Sequence, residues 1–354
     1  MVLACSMALS QVGMAAAVLR PGAPTLRVLA WPGYAEPEVV RSFEARTGAH
    51  VEVTVIDTDE ALWQKLSAAD NPQRREGFDV FAVNTAELQR YVASNRVQGI
   101  DVASVPNTQR QLPRFRQLAA IPGLVRHGPR GDQVFGIPFT YSAMGLIYDK
   151  RQLPTPPTSV SALWDPALQG KVVIYNGGTH NFSLAAMAMG WPSPFRLDDT
   201  QWRTGADKLI ALRRNVVAIY SQPDESVRQF TRHHAALMFA NYGMQQVHLL
   251  KTAGVDVGYT IPQGGALAWL DCWAITRRTT QRTLAHAWID HLLGPQASGL
   301  LVMRQGLSNT VSEDHGEGAS GRLLWLTPVE DAMRREALWG RIRSGDRLDK
   351  VMAP

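Results

Sequence analysis

The apolar positions along the chain change period repeatedly, and those changes mark out its elements. Residues 26–31 form a short apolar run that predicts a strand. Residues 36–47 carry Val39, Val40 and Phe43 at helical spacing and stop at Gly48, a residue suited to closing a helix. Residues 51–56 alternate and are β-branched, as a second strand would be. Asp57-Thr58-Asp59-Glu60 opens a helix through Leu62, Trp63 and Leu66, with caps and acids where a helix N-terminus prefers them. Residues 78–83 predict a third, wholly buried strand, and residues 87–93 another helix. This alternation implies βαβ units.

The same rhythm resumes after Phe135-Gly136-Ile137-Pro138. Residues 144–148, 171–175 and 235–239 predict strands, and residues 182–189, 202–212 and 282–293 predict helices. Asp224 and Glu225, in a Gln-Pro-Asp-Glu-Ser turn, read as caps of the helix that follows. No repeat of solenoid period occurs. The expected fold is α/β: two lobes, each a mostly parallel sheet flanked by helices, with a ligand in the crevice at the carboxyl ends of the strands.

A chain of 354 residues, 45% of them hydrophobic, can build two such cores. Its net charge of +5 is scattered, and pairs such as Arg74-Arg75 and Arg277-Arg278 are too short to form a basic stripe. Nucleic-acid binding is therefore excluded. Residues 1–17 are small, apolar and uncharged, and Ala15-Ala16-Ala17 fits the cleavage site of a secretory signal, placing a signal segment at residues 1–24. The mature chain is then expected to be exported. Val2-Leu3-Ala4-Cys5 also matches a lipoprotein box, which implies a lipid anchor if the true start lies upstream. No later apolar run is long enough to span a membrane. Removal of Cys5 would leave Cys272 alone, and no zinc-type cysteine spacing exists.

Candidate chemistry concentrates in residues 261–271, Ile-Pro-Gln-Gly-Gly-Ala-Leu-Ala-Trp-Leu-Asp. Its Pro and glycines turn the backbone, and extended geometry then puts Trp269 and Asp271 on one face. A ring that shields a cation beside a carboxylate that neutralises it makes an ammonium receptor. A core tryptophan beside a capping aspartate is the commoner use of such a pair. Gly316 to Gly321 spells GxGxxG but follows a polar stretch, so it reads as a loop and not a dinucleotide turn. His233 and His234 are adjacent and cannot share one metal from a single face, so they read as helix-end histidines. No nucleophile elbow, P-loop or HExxH is present, and no enzyme, cofactor or metal is inferred.

The order of several segments is recognisable. Ala30-Trp31-Pro32-Gly33-Tyr34, Phe43-Glu44-Ala45-Arg46-Thr47-Gly48, Phe78-Asp79-Val80, Phe135-Gly136-Ile137-Pro138-Phe139, the run from Leu163 to Lys171, and the segment ending at Asp271 follow one another in register. The chain thus resembles the spermidine/putrescine-binding subunits of bacterial ABC importers, within the periplasmic solute-binding proteins, over residues 26–345. The resemblance implies a type II two-lobed fold, discontinuous in sequence: residues 25–137 and 272–315 in one lobe, 138–271 and 316–354 in the other. It implies an exported monomer that captures a small amine-bearing solute and delivers it to ABC permease subunits. A periplasmic enzyme or a chemosensory protein on the same fold is the alternative.

Residue by residue, the resemblance implies stacking rings at Trp31, Tyr34 and Trp269, further aromatic walls at Tyr141 and Phe239, and the amine-binding carboxylate at Asp271. The chain also departs from the pattern. Residues 176–181, Asn-Gly-Gly-Thr-His-Asn, lack the acids that hold a second amine in relatives, and Tyr242 stands where putrescine binders carry another acid. Leu307 replaces a late tyrosine, and Pro32-Gly33 a polar pair. Asp271 is thus the one clear acid expected in the site. Asn176, Thr179 and His180 are expected to read a polar or anionic far end, with His180 either donating there, titrating or merely completing a loop. A monoamine or zwitterion, such as an amino acid derivative or an opine, fits one carboxylate better than a diamine does.

Overall fold

The computed structural model describes residues 22–56, 58–69, 77–129, 131–312 and 322–353. Residues 1–21 of the expected signal segment, Cys5 among them, lie outside the described residues, as do Asp57, Arg74-Arg75 and the glycine-rich 316–321.

The first half follows its apolar pattern: β1 (Thr25–Ala30), α1 (Pro37–Thr47), β2 (His50–Val55), α2 (Asp59–Ala69), β3 (Val80–Asn84) and α3 (Thr85–Ala93) alternate. β1 runs parallel to both β2 and β3. Helix α1 buries Val39 and Phe43 and ends at Gly48, whose φ of 70° is the left-handed geometry glycine adopts without strain. Asn84 closes β3 and caps α3, its side chain accepting from the Ala86 N–H at 2.9 Å. A short α4 (Pro113–Arg116) and a ribbon of β4 (Val125–Arg126) with β5 (Gln133–Val134) lead to β6 (Ile137–Met144).

A second sheet begins with β7 (Leu146–Asp149) and continues through β8 (Val172–Tyr175), α5 (Gly178–Ala188), α6 (Asp199–Leu212), β9 (Val216–Tyr220), α7 (Pro223–Arg232), β10 (Leu237–Phe239), α8 (Met244–Thr252) and β11 (Val257–Thr260). Its strand order is β11-β7-β10-β8-β9. Asp224 and Glu225 occupy the first turn of α7, where the Glu225 carboxylate accepts from the Ser221 N–H at 2.7 Å. His233 and His234 end that helix, His234 at a φ of 48°.

The chain then returns to the first sheet in β12 (Ala266–Ile275), every residue of which is buried. Helices α9 (Arg282–Leu292) and α10 (Pro295–Gln305), β13 (Ser308–Asn309) and β14 (Leu323–Trp325) follow. Among the described residues the first sheet has the order β13-β6-β12-β3-β1-β2, with β14 on β12. Finally α11 (Ala332–Arg343) packs on α5 and α6, and α12 (Leu348–Val351) on α6.

Two expectations change. The sheets are mixed and not mostly parallel: β12 is antiparallel to β3 and β6, and β7 is antiparallel to β10 and β11. Strands that carry the chain from one sheet to the other and back make hairpin-like pairings, which a crossover helix does not require. The same strands bear on the division between lobes. Both β6 and β12 pair wholly within the first sheet, whereas boundaries at 137/138 and 271/272 would cut them. The chain changes sheet at Gly145 and again at residues 261–265. The two crossings touch: the Tyr259 hydroxyl lies 3.1 Å from the Gly145 N–H and donates to the Ala143 carbonyl at 2.8 Å. A Cβ at Gly145 would stand 2.6 Å from the Tyr259 ring and the Thr260 carbonyl, so only glycine fits there.

Candidate ligand site

The site grows from the register of β12. Alternation puts Trp269 and Asp271 on one face, and antiparallel pairing sets Asp271 opposite Asn84 on β3. The Asn84 side-chain amide donates to Asp271 Oδ1 at 3.3 Å. Tyr34 comes from the turn after β1. That turn holds Pro32 and then Gly33 at a φ of 82°, the residues a type II turn prefers, and it closes through Tyr34 N–H to the Trp31 carbonyl at 3.1 Å. A Cβ at Gly33 would fall 2.2 Å from the Gln305 side chain, so the turn is also sterically committed. The Tyr34 hydroxyl donates to Asp271 Oδ2 at 2.7 Å, and its ring packs edge-on to Phe139 at 5.4 Å.

Asp271 is therefore a carboxylate only 7% exposed, held at both oxygens by neutral donors. Burial pushes its pKa up to about 6, against the lowering effect of the Tyr34 and Asn84 hydrogen bonds. Burial and the negative charge of Asp271 together hold the Tyr34 phenol well above its ordinary value. Trp269 donates its indole N–H to the Asn241 carbonyl at 2.8 Å, joining the first sheet to the loop after β10. Trp31 stays half-buried beside Tyr34, its indole nitrogen enclosed and without a partner.

The second sheet faces this carboxylate with aromatic rings. Tyr175, at the end of β8, lies 5.6 Å from Tyr220, 6.0 Å from Tyr242 and 5.2 Å from the His180 ring, the last two edge-on. Tyr242 donates to the Ser221 carbonyl at 2.7 Å, and its phenol interacts electrically with Tyr34 across the two sheets. Burial pushes Tyr175 up to about 12 and Tyr242 higher.

The other expected residues divide. Tyr141 stands on the opposite face of the sheet from Asp271, wholly buried against Phe115 at 5.1 Å, with Arg114 donating to its hydroxyl at 2.8 Å. Phe239 is also wholly buried, in the interior of the second sheet. Both are core rings in this structure, and strand alternation turns Tyr141 away from the Asp271 face. The Asn176 amide is taken up by Ser221 at 3.1 Å, Trp339 at 3.1 Å and Arg343 at 3.0 Å. The Thr179 N–H donates to the Glu336 carboxylate at 3.1 Å, so the start of α5 is met by α11. Arg335 of α11 is fully buried there, paired with Glu330 at 2.9 Å and donating to Ser183 Oγ at 2.8 Å and to the Thr179 and Pro194 carbonyls. Burial, then the Arg335 charge, holds His180 down to about 4, which makes it a neutral imidazole at ordinary pH and not a switch near neutrality.

Asp59, on the first turn of α2, is exposed. Its carboxyl is raised above the usual carboxylate range by desolvation and then by repulsion from Glu87 and Asp271, against the pull of Arg90. The charge of Asp59 also acts on Tyr175 and Tyr242 of the second sheet. Glu336 reaches Tyr175 in the same way. In the sequence Asp59 is indistinguishable from any first-turn helix acid, and Glu336 belongs to a helix far along the chain. Asn84 is findable only through the β3–β12 register.

A model of the bacterial extracellular solute-binding proteins matches residues 38–310. The chain is 26% identical over 287 residues to the putrescine-binding periplasmic protein of Escherichia coli K12, covering 77% of this chain and 74% of that protein. Among solved structures it superposes on a putative spermidine/putrescine ABC transporter protein from Listeria monocytogenes with a TM-score of 0.72, 19% identity and coverage of 93% and 99%. The PBP AgtB of A. tumefaciens R10 in complex with agropinic acid gives a TM-score of 0.58 at 15% identity, covering 81% and 84%. These likenesses, on both sides, are to two-lobed binding proteins.

Proposed function

Because the chain belongs to the bacterial extracellular solute-binding proteins, we propose that it is the substrate-binding subunit of an ABC importer, capturing a small amine-bearing solute. The observation that carries this reading is Asp271: a buried carboxylate whose two oxygens are held by uncharged donors, Tyr34 and Asn84, beside the Trp269 ring. A buried carboxylate calls for a cation, and an ammonium against ring faces and a carboxylate gains far more in a closed cleft than in water. The names of relatives that bind putrescine or spermidine support the same class.

Capture proceeds by closure. A ligand that touches both sheets binds the closed state more tightly than the open one, and that difference shifts the population. In this reading the chain crossings at Gly145 and residues 261–265 serve as the hinge, with the lobe boundaries at those points. Tyr34 and Trp269 stack, Asp271 pairs with the cation, and Tyr175 and Tyr242 wall the far side. In this reading the protein acts as an exported monomer, hands its solute unchanged to permease subunits, and works in the periplasm, with a lipid anchor if its start lies upstream of Cys5.

The test is a thermal-shift panel of polyamines, monoamines, amino acids, opines and organic anions on the purified protein. A ligand at 100 times its Kd stabilises by about 2.7 kcal/mol, a clear rise in midpoint. Amines are expected to raise the midpoint of the native protein and to leave that of Asp271→Asn unmoved. A rise with anions and none with amines would sink the reading.

A further inference from the structure

The two halves of the molecule also meet away from the chain crossings and from the Trp269–Asn241 hydrogen bond. Helix α10, which packs with the first sheet, ends at Gly306. The φ of 63° there is left-handed, and the Gly306 N–H donates to the Val302 carbonyl at 2.9 Å. The first turns of α8, which belongs to the second sheet, lie directly against that end. A Cβ at Gly306 would stand 2.7 Å from the His248 Cβ, 3.1 Å from the Met244 carbonyl oxygen and 3.3 Å from the Gln245 Cα. Main chain therefore approaches main chain, and a side chain at 306 would hold the two apart. Beside this contact the Gln245 side-chain amide donates to Gln305 Oε1 at 3.4 Å.

The contact reaches both walls of the site. Gln305 donates its own amide to the Glu36 carboxylate at 2.8 Å and abuts Gly33, in the turn that delivers Tyr34 to Asp271. On the other side α8 begins just after Asn241 and Tyr242. Gln246, wholly buried, accepts from the Tyr242 N–H at 2.9 Å and donates to Ser226 Oγ at 2.7 Å, so the loop carrying Tyr242 is tied to α8. Helix α1 supplies the comparison. It ends in the same geometry at Gly48, with a φ of 70°, yet a Cβ there would meet nothing within 4 Å. Backbone conformation alone accounts for glycine at 48, whereas at 306 the approach of α8 adds a second requirement.

We propose that Gln305 and Gly306 form a latch on α8 that draws the two sheets together before any solute arrives. A contact made only in the closed state adds its whole free energy to closure, so these residues set affinity without touching the ligand. Gly306 is a positioning residue in this scheme. The proposal rests on closure between the sheets and not on the assignment of Asp271 to an ammonium.

The experiment compares the native chain with Gly306→Ala and Gly48→Ala, first by small-angle X-ray scattering without ligand and then by calorimetry with 1,4-diaminobutane. Both alanines must adopt a positive φ, so both should lower the melting midpoint. Only Gly306→Ala should enlarge the radius of gyration of the ligand-free protein. A closed fraction cut about tenfold weakens a closure-dependent ligand about tenfold, so Gly306→Ala should bind the diamine about tenfold more weakly and Gly48→Ala within about twofold of native. Gln245→Met removes the amide bridge without backbone strain and should move both readouts the same way by less, which keeps the test open if Gly306→Ala does not fold. A native radius in Gly306→Ala, or in Gln245→Met where that variant stands in for it, overturns the latch, as does an equal loss of affinity in Gly48→Ala. If the native protein does not bind the diamine, the amine reading falls and the radius alone decides the latch.

Discussion

The two sides of the cleft are built to different degrees of completion. On the first sheet Asp271 is fixed before any ligand arrives, with Tyr34 at 2.7 Å on one oxygen and Asn84 at 3.3 Å on the other. On the second sheet Asn241 and His180 each keep an enclosed polar atom without a partner, and the residues best placed to read a ligand there, Asn176 and Thr179, are occupied by α11. A preorganised carboxylate loses little entropy on binding and sets what is captured. A side with unpaired groups gains most from a ligand that completes it, and so it sets which member of the class is preferred. On the proposed function, recognition is rigid on one side and adjustable on the other.

That contrast breaks most severely at Arg335. Its buried guanidinium holds α11 against the start of α5, so the adjustable side depends on it for position. Arg335→Ala leaves Glu330, Ser183 and two carbonyls short of a partner, and we expect a loss of about 3–5 kcal/mol in unfolding free energy, read by denaturant titration. The rigid side should report differently. Asp271→Asn keeps the shape and removes the charge; the expected result is an affinity loss for amines of about 2–5 kcal/mol by calorimetry, with a melting midpoint no lower than that of the native protein. If the two variants trade these signatures, the division between a rigid and an adjustable side is wrong.

The pH response sharpens the division further, because titratable groups on the two sides oppose each other. Asp271 has a folded pKa of about 6, above its unfolded value of 3.8, so the folded protein holds more protons between those values. Its contribution to the stability of the unliganded protein is therefore present at low pH and is lost as pH rises through 6. Asp59, at about 7, acts in the same sense. His180, held at about 4 against 6.5 unfolded, acts in the opposite sense, adding stability as pH rises across that window. Amine binding needs the ionised carboxylate, so affinity should fall as pH drops through 6 while the ligand stays charged. The native-minus-Asp271→Asn difference in midpoint, measured from pH 4 to 7.5, isolates the first effect. A difference that does not change with pH would mean that Asp271 is not buried as a titrating group.

What the sequence made legible was what local pattern encodes. Strand and helix periods, Gly48 as a stop, and the Trp269–Asp271 spacing all follow from neighbours in the chain, and the structure has them in place. What it hid depends on which residues meet. Tyr141 and Phe239 are aromatic residues beside the right motifs, yet both are wholly buried in the core. Asn84 joins the site only through a pairing of β3 with β12 across 187 positions.

The smallest effect is expected at the joint between preorganisation and charge. Tyr34→Phe keeps the ring and its packing on Phe139 but removes the hydroxyl that donates to Asp271. One oxygen of a buried carboxylate then loses a donor, which costs about 1–2 kcal/mol of amine affinity. The Tyr34 hydrogen bond also favours the ionised form of Asp271, so its loss moves the carboxyl further up and the pH midpoint of amine binding up with it. The two readouts separate the possible roles of the ring. If Tyr34 only stacks against the ligand, the phenylalanine keeps both affinity and midpoint. If it orients and ionises Asp271, affinity falls at neutral pH and recovers as the medium is made more alkaline, a recovery that Asp271→Asn cannot make.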